Sequence, residues 1–431
     1  DESYLKNLVE QYHIGAARYN GASKIEIYNQ NKTLQENSKI PLLIACNAEG
    51  GGDGACNDGT KIGMPVKIGA TNDSHNAYLM GKVSGIEAEA VGCNWTFAPI
   101  VDINSNWRNP IISCRCFSNN ADEVLEYAKE YYRGVTENSH LICAMKHFPG
   151  DGIDERDQHL SNSINSLSCE EWDKTYGKVY KGMIDFGIQA VMVGHIMQPS
   201  YTRKFNPTLT DEDIMPGTLS KELVTDLLKG QLKFNGLVVT DASHMVGLTC
   251  AKKRSEVVPG AIAAGCDLFL FFNDMDEDFN YMLDGYKNGV FTEERLYDAL
   301  RRILGTKASM GLHKKNKNEL VPKIENLSII GSNEHKKIEK DVADKSITLL
   351  KNKDNIFPLS VEKTPRILIV PAKALSGSNF FNLMFSDTKK LTPEEILRNS
   401  LEKEGFKVEI YESPIEKIGN MSSADKKASI D

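Results

Sequence analysis

The sequence predicts an α/β protein whose main domain is a (β/α)8 TIM-type barrel, followed by a partial α/β/α sandwich domain. Three observations predict it. Short apolar runs rich in β-branched residues alternate with amphipathic segments, which is typical of strand–helix repeats around a parallel sheet. The runs are apolar on both faces, as parallel strands covered on both sides are. Chemically active side chains fall at the ends of several runs, where a barrel builds its active site.

Seven runs are predicted as strands: 14–19, 41–46, 94–100, 141–148, 190–196, 236–242 and 267–272. The segments between them predict helices at 75–92, 120–137, 169–186, 219–230 and 254–264. This number of strands fits a barrel better than a doubly wound sheet. A dinucleotide-binding fold has no support, since no glycine-rich phosphate loop follows a strand.

The 431 residues are enough for two or three domains. We expect the barrel to occupy residues 1–312 and a polar, lysine-rich linker to occupy residues 313–340. Residues 341–431 then begin a C-terminal α/β sandwich domain, in which Thr392 and Glu395 stand at capping-box spacing before a helix. This second region has too few strands for a closed core, so we expect it to be truncated.

Composition excludes several classes of protein. With 41% hydrophobic and 26% charged residues, the chain is typical of a soluble globular protein. A net charge of -8 argues against a nucleic-acid partner. No apolar run approaches the roughly 20 residues that cross a bilayer, so no membrane partner is expected. The nine scattered cysteines predict a reducing, cytoplasmic location, and their spacing predicts neither a metal site nor a cofactor.

The segment "KHFPGDGIDERDQH", residues 146–159, is a polar loop rich in proton-transferring groups. Asp157 and His159 are two positions apart, so in an extended loop their side chains can meet. A carboxylate bonded to one ring nitrogen fixes the imidazole tautomer, and the other nitrogen can then transfer a proton near neutral pH. The alternative is a solvated polar turn.

Strand ends carry a second group of candidates: Asp102, Lys146, His147, His195 and Asp241. In a barrel these ends converge on one face. Asp241 can be a nucleophile, a metal ligand or a helix N-cap. The lysine–histidine pair can bind phosphate or sugar hydroxyls, or lie on the surface. The alternative for His195 is a hydrogen-bonded core histidine.

Two further charged residues follow glycine-rich or irregular sequence. Arg115, in "NPIISCRCF", can clamp a sugar or form a structural salt bridge. Glu49 precedes three glycines, which allow the backbone to approach a ligand closely, and is otherwise part of a turn.

The order and spacing of five segments are more specific than any single residue. The segments "IACNAEGG", "NWTFAPIVDINSNWRNPIISCRCF", "AMKHFPGDGIDERDQH", "AVMVGHIM" and "FNGLVVTDASHMVGL" together resemble glycoside hydrolase family 3, and more narrowly its β-N-acetylglucosaminidase branch. The resemblance extends from residue 14 to about residue 310. "DKSITLLKNKDNIFPL" is similar to the opening of that family's C-terminal sandwich domain.

The resemblance implies a role for each matching position. Asp241 matches the catalytic nucleophile, and His159, paired with Asp157, matches the general acid/base of this branch. The sugar-binding positions it implies are Asp102, Arg115, Lys146, His147 and His195, to which we add Glu49 and Asn47.

The sequence also departs from the family pattern. The family usually has an aspartate at the position of Asn47, and we expect this change to alter recognition of the outer sugar hydroxyls. Asp151 replaces a common histidine and Gln158 a serine, and both could alter closure of the loop. The strand expected before residue 7 is also missing, which predicts an incomplete barrel.

The resemblance implies a retaining exo-β-N-acetylhexosaminidase that hydrolyses terminal β-linked N-acetylglucosamine without a cofactor. The expected partner is a carbohydrate such as a peptidoglycan fragment or a chitooligosaccharide. Three alternatives remain. An imidazole in place of a carboxylate removes a negative charge from the acceptor site, so phosphate could replace water, as in a phosphorylase. A β-glucosidase of the same family typically lacks the D-x-H pair. A non-catalytic sugar-binding protein is the third.

Overall fold

A computed structural model describes residues 1–371 and 392–411. The contacts divide the chain into two compact units, residues 1–348 and residues 349–431. The predicted boundaries at 312 and 340 remain predictions.

A parallel sheet forms the centre of the first unit. Its six strands, in spatial order, are β1 (Ala16–Arg18), β2 (Leu43–Cys46), β3 (Trp95–Thr96), β4 (Ile142–Phe148), β6 (Ala190–Val193) and β8 (Leu237–Thr240). All residues of β2, β4, β6 and β8 are buried. The sheet is therefore covered on both faces, as the uniformly apolar runs predict.

Alternate residues of these strands face two different cores. One core contains Leu43 and Ala45 of β2 together with Trp95 of β3 and Ala144 of β4. The intervening residue Ile44 belongs instead to the larger core that includes helix residues. Because successive side chains of a strand point to opposite faces, the first core is the inside of a curled sheet and the second packs the helices around it. The predicted α/β barrel architecture is confirmed in this form.

The predicted strand at 267–272 extends the sheet beyond β8 by a single bridge, between Val239 and Leu268. Hydrogen bonds from Thr240 N to Leu268 O and from Ser243 N to Leu270 O continue the contact, at 3.1 and 3.0 Å. Between this segment and β1 lies a cavity of about 850 Å³ lined by residues of both. Within residues 1–371 and 392–411 the curled sheet is thus open between its first and last strands.

Helices cover the outside of the sheet. Their bounds are α1 (Glu2–Glu10), α2 (Lys24–Asn37), α3 (Pro65–Gly69), α4 (His75–Ala90), α5 (Ala121–Asn138), α6 (Cys169–Trp172), α7 (Lys178–Phe186), α8 (Pro199–Phe205), α9 (Val246–Thr249), α10 (Arg254–Ala264), α11 (Met275–Lys287), α12 (Glu293–Ser309) and α13 (Asn333–Ser346). Stretches of π-helix occupy Asp173–Gly177 and Glu222–Gln231. A small parallel pair, β5 (Ser163–Ile164) with β7 (Ile196–Met197), lies outside the main sheet.

The segment predicted as a linker packs onto the first unit. It contains short 3₁₀ helices and the start of α13. Leu320, Val321, Leu327 and Ile330 are buried there. Apolar residues spaced among the lysines explain the packing, since each can be buried while its charged neighbours stay in solvent.

The second unit contains β9 (Arg366–Ile369), a helix over Pro393–Lys403 and β10 (Lys407–Ile410), which pairs with β9 in parallel. The helix begins at the predicted capping box of Thr392 and Glu395. The rest of the predicted domain, 372–391 and 412–431, lies outside the described residues. Every helix in the described ranges is too short or too polar to span a bilayer.

Candidate active site

The carboxyl ends of four neighbouring strands converge at one edge of the sheet. Ile100, which follows β3, bridges to Lys146 near the end of β4. Asp241, which follows β8, donates its backbone N–H to Val193 O at the end of β6, at 2.8 Å. His195 follows β6 by two residues. The structure therefore brings the predicted strand-end residues into one region.

Glu49 joins the two predicted cations of the site. Its carboxylate accepts hydrogen bonds from Arg115 Nε at 3.1 Å and Arg115 Nη2 at 2.9 Å. Lys146 Nζ forms an ion pair with Glu49 Oε1. Burial tends to raise the pKa of Glu49, but the charges of Lys146 and Arg115 outweigh it and hold that pKa well below its ordinary value. The glutamate thus fixes the direction of both cations.

His147 is oriented by Asp102. Its Nδ1 lies 2.7 Å from Asp102 Oδ2, and its backbone N–H donates to Asp102 Oδ1 at 3.2 Å. Because the carboxylate accepts from Nδ1–H, the other ring nitrogen is turned outward. It lies 4.0 Å from Asp241 Oδ2. Asp102 is fully buried and acts on the site through this imidazole.

Asp241 is a buried carboxylate that remains ionised. Burial tends to raise its pKa, but His147, His195, the Ala242 N–H and Lys146 act in the opposite direction, and the pKa lies below the ordinary aspartate value. The Ala242 N–H donates to Asp241 Oδ1 at 2.7 Å. An ionised carboxylate held at a strand end, with one oxygen facing a histidine, can act as a nucleophile.

His195 has protein partners on both ring nitrogens. Nε2 lies 3.0 Å from Ala242 O, and Nδ1 lies 2.8 Å from Thr218 Oγ1. A carbonyl can only accept, so Nε2 carries the proton. Burial lowers the pKa of His195, which keeps the ring neutral. This geometry matches the hydrogen-bonded core role that the sequence left open, and it supports the backbone directly after the nucleophile candidate.

The structure also pairs Asp157 with His159. His159 Nδ1 lies 2.6 Å from Asp157 Oδ1, and the His159 backbone N–H donates to the same oxygen at 2.8 Å. The carboxylate fixes the proton on Nδ1 and leaves Nε2 available for proton transfer. The imidazole is 42% exposed, so it has access to solvent and to a ligand at the mouth of the barrel.

Backbone hydrogen bonds hold this loop beside the segment that follows Asp241. Val246 N donates to His159 O at 3.1 Å, and Gly247 N donates to Gln158 O at 2.9 Å. The candidate acid/base pair therefore lies on the same side of the sheet as the candidate nucleophile.

Other parts of the site differ from the sequence expectation in detail. Asn47 Oδ1 is buried and has no hydrogen-bond partner among the residues that the structure describes. Sequence reasoning gave no role to Asn109, which donates a hydrogen bond to Asp151 Oδ1 at 2.9 Å. No local pattern could have revealed that contact, since the two residues are 42 positions apart. No group of three or more metal-ligating side chains occurs in the described part of the chain.

Comparisons with known proteins identify one family. The N-terminal domain of glycosyl hydrolase family 3 matches residues 2–306. A Cellulomonas fimi protein named β-N-acetylglucosaminidase/β-glucosidase is 42% identical over 86% of this chain and 65% of its own length. β-Hexosaminidase A of Pseudoalteromonas piscicida is 28% identical over 85% of this chain and 64% of its own length. The chain thus spans slightly less than two thirds of these relatives.

Two solved structures are similar over nearly the whole chain. A β-glucoside phosphorylase, BglX, bound to 2FGlc has a TM-score of 0.88 and 40% identity, covering 97% of this chain and 73% of that one. A family 3 β-N-acetylglucosaminidase from Paenibacillus sp. FPU-7 has a TM-score of 0.82 and 25% identity, covering 99% of this chain and 79% of that one.

Proposed function

The chain belongs to glycosyl hydrolase family 3, and from that premise we propose that it removes terminal β-linked N-acetylglucosamine by a retaining mechanism. Asp241 is the nucleophile, and His159 with Asp157 is the acid/base. The observation that carries the proposal is the Asp157–His159 pair, held on the side of the sheet where Asp241 is buried and ionised.

In the first step Asp241 attacks the anomeric carbon and His159 donates a proton to the departing glycosidic oxygen. The leaving group then carries that proton away, and the sugar remains bonded to Asp241. In the second step water attacks the same carbon, the neutral imidazole takes a proton from that water, and the bond between the sugar and Asp241 breaks, which restores the carboxylate. Two inversions at one carbon give net retention of configuration.

The remaining side chains bind the sugar. Arg115 and Lys146 face it with positions fixed by Glu49, and His147 is fixed by Asp102. Preorganised donors of this kind need no reorganisation during the reaction, which lowers the barrier. Asn47 has an unpartnered buried oxygen and lies two residues from Glu49, so we place it among the groups that contact outer hydroxyls.

The preference for N-acetylglucosamine is supported by the name of the Paenibacillus protein and by the D-x-H pair, whereas the name of the Cellulomonas fimi protein covers both N-acetylglucosaminides and glucosides. A panel of nitrophenyl β-glycosides tests it. We expect kcat/KM to be highest for the N-acetylglucosaminide. A higher value for the glucoside would identify a β-glucosidase instead, and tight sugar binding without turnover would identify a non-catalytic protein.

Phosphorolysis is a second candidate, because a structure 40% identical to this chain is described as a β-glucoside phosphorylase. Its physical basis is the acid/base itself, since an imidazole at this position repels an anion less than a carboxylate would. Mass spectrometry of products formed with and without inorganic phosphate separates the two reactions. Hydrolysis gives the free sugar under both conditions, whereas phosphorolysis gives a sugar 1-phosphate that depends on added phosphate.

A further inference from the structure

Gln158 is the buried residue of an otherwise accessible loop segment. Its neighbour His159 is 42% exposed in the side chain, whereas Gln158 is 1% exposed. Glutamine is rarely buried, and a buried amide needs hydrogen-bond partners for both of its ends. The burial of Gln158 therefore depends on the hydrogen bonds that its amide makes.

Both ends of the Gln158 amide are bonded. Oε1 accepts from the His195 backbone N–H at 2.7 Å, and Nε2 donates to Asp151 Oδ2 at 3.4 Å. Two glycines leave room for this contact. A Cβ on Gly194 would lie 3.2 Å from Gln158 Oε1, and a Cβ on Gly247 would lie 2.9 Å from Gln158 O.

The partners of Gln158 fix which end of its amide accepts and which end donates. The His195 N–H can only donate, and the ionised Asp151 carboxylate can only accept. Asp151 Oδ1 is already occupied by Asn109 Nδ2 at 2.9 Å and by Gly152 N at 2.6 Å. Only Oδ2 is left for Gln158. The amide therefore has one favourable orientation, and it ties the loop to the end of β6.

We propose that Gln158 is a positioning residue that docks the loop onto the end of β6 and so sets where His159 meets the glycosidic oxygen. The inference rests on the proposed acid/base role of His159. Asp157 and Gln158 have different roles. The Asp157 carboxylate selects the tautomer of the His159 imidazole, and the buried Gln158 amide sets the position of that imidazole. Neither hydrogen bond of this amide goes to the nucleophile or to the sugar-binding cations, so we expect its loss to act first on the loop.

The first test compares Gln158→Ala with His159→Ala on a series of N-acetylglucosaminides with good and poor leaving groups. A misplacement of about 1 Å can cost roughly 10²-fold in rate. We expect Gln158→Ala to lose about 10- to 100-fold in kcat/KM on poor leaving groups, and only a few-fold on nitrophenyl substrates, which need little proton donation. Gln231→Ala, which changes an exposed glutamine bonded to Tyr201, is the matched control and should show neither effect.

The second test exchanges the hydrogen-bond donor and acceptor between Gln158 and Asp151. Asp151→Asn alone sets two amide N–H groups against each other. Gln158→Glu alone brings a second carboxyl group against Asp151, and this pair can share a proton, so Asp151→Asn is the single variant that decides. In the double variant the new asparagine donates to the new glutamate, which still accepts from the His195 N–H. The net charge of the network is then the same as in the native protein.

We expect Asp151→Asn to lose at least about tenfold in kcat/KM on poor leaving groups, and the double variant to recover most of that loss, as coupled neighbours do in a mutant cycle. Such rescue requires the specific hydrogen bond, so a merely space-filling role for Gln158 would not produce it. A double variant no better than Asp151→Asn overturns the inference.

The outcomes separate this inference from the proposed function. If His159→Ala slows good and poor leaving groups equally, the acid/base assignment fails. If His159→Ala discriminates between them while Gln158→Ala behaves like the control, only the positioning role fails. Should Gln158→Ala not fold, as judged by thermal unfolding, the double variant still decides, because it keeps both side chains and their volume.

Discussion

The two halves of the site are built in different ways. The half proposed to bind the sugar comes from strand ends and is buried: Lys146 is 3% exposed and Asp241 is 13% exposed in their side chains. The half proposed to transfer protons lies on the loop that follows β4, where the His159 side chain is 42% exposed. Charged partners fix the first half, and hydrogen bonds to a neighbouring strand end hold the second.

The difference suits the chemistry that we propose for each half. Buried charges keep their positions when each has a fixed counterion, as Glu49 provides for Lys146 and Arg115. A proton-transfer group must alternate between charged and neutral forms. Burial lowers the pKa of His195, so an imidazole at that depth stays neutral. The accessible loop gives His159 the solvent contact that such alternation needs.

The largest effect is expected when the proposed nucleophile, Asp241, is removed from the buried half. We expect Asp241→Ala to lower kcat/KM by roughly 10³-fold or more for every substrate, because no covalent intermediate can form. Mass spectrometry after incubation with a 2-fluoro glycoside should show a sugar adduct on the native protein and none on the variant. Asp226→Ala, at a partly exposed aspartate outside the site, is the control. An adduct on the Asp241 variant would place the nucleophile elsewhere.

A substitution in the exposed half should instead slow substrates with poor leaving groups more than substrates with good ones. We expect His159→Ala to reduce kcat/KM by about 10²- to 10⁴-fold for poor leaving groups, the range usual for general acid catalysis. Nitrophenyl substrates should lose far less, because their leaving groups depart without a proton. A Brønsted plot of log kcat/KM against leaving-group pKa measures the change. A slope equal to that of the native protein would contradict the assignment.

Removing the counterion of the buried half should lower the free energy of unfolding more than any substitution in the loop. Glu49→Gln leaves the buried Lys146 and the partly buried Arg115 without their partner, and we expect the free energy of unfolding to fall by about 3–5 kcal/mol. Urea unfolding measures it. The exposed pair Lys174–Glu170 provides the control, since Glu170→Gln should cost less than about 1 kcal/mol. Equal costs for the two variants would show that burial does not strengthen the Glu49 cluster.

The smallest expected effect concerns the contact between the two halves, at Asp151. Burial and the neighbouring Asp102 raise the pKa of Asp151 to about 6. The folded protein therefore keeps this proton between about pH 6 and pH 4, where the unfolded chain has released it, so the contribution of Asp151 to stability grows as the pH falls.

Asp151→Asn cannot bind that proton. We expect the stability of the native protein relative to this variant to increase by about 2–3 kcal/mol as the pH is lowered from 7 to 4. Urea unfolding of both proteins across this range measures the difference. A difference that does not change with pH would show that the carboxyl titrates as it does in the unfolded chain.

Much of the fold could be predicted because its signals are local. The run at 141–148 is observed as β4 over Ile142–Phe148. The run at 94–100 is shorter than predicted, with regular pairing only at Trp95–Thr96. Pro99 has no N–H to donate, so the chain continues through single contacts such as Val101 N to Lys146 O at 2.9 Å.

The sequence by itself determined which side chains stand at strand ends and that Asp157 can reach His159, since both depend on neighbours within a few positions. Only the tertiary structure decided that Glu49 holds Arg115, which is 66 positions away, and that Gln158 is buried beneath an exposed loop. The physical reason is that burial and ion pairing depend on which distant segments meet when the sheet curls. The sequence on either side of a residue does not predict which distant segment it will contact.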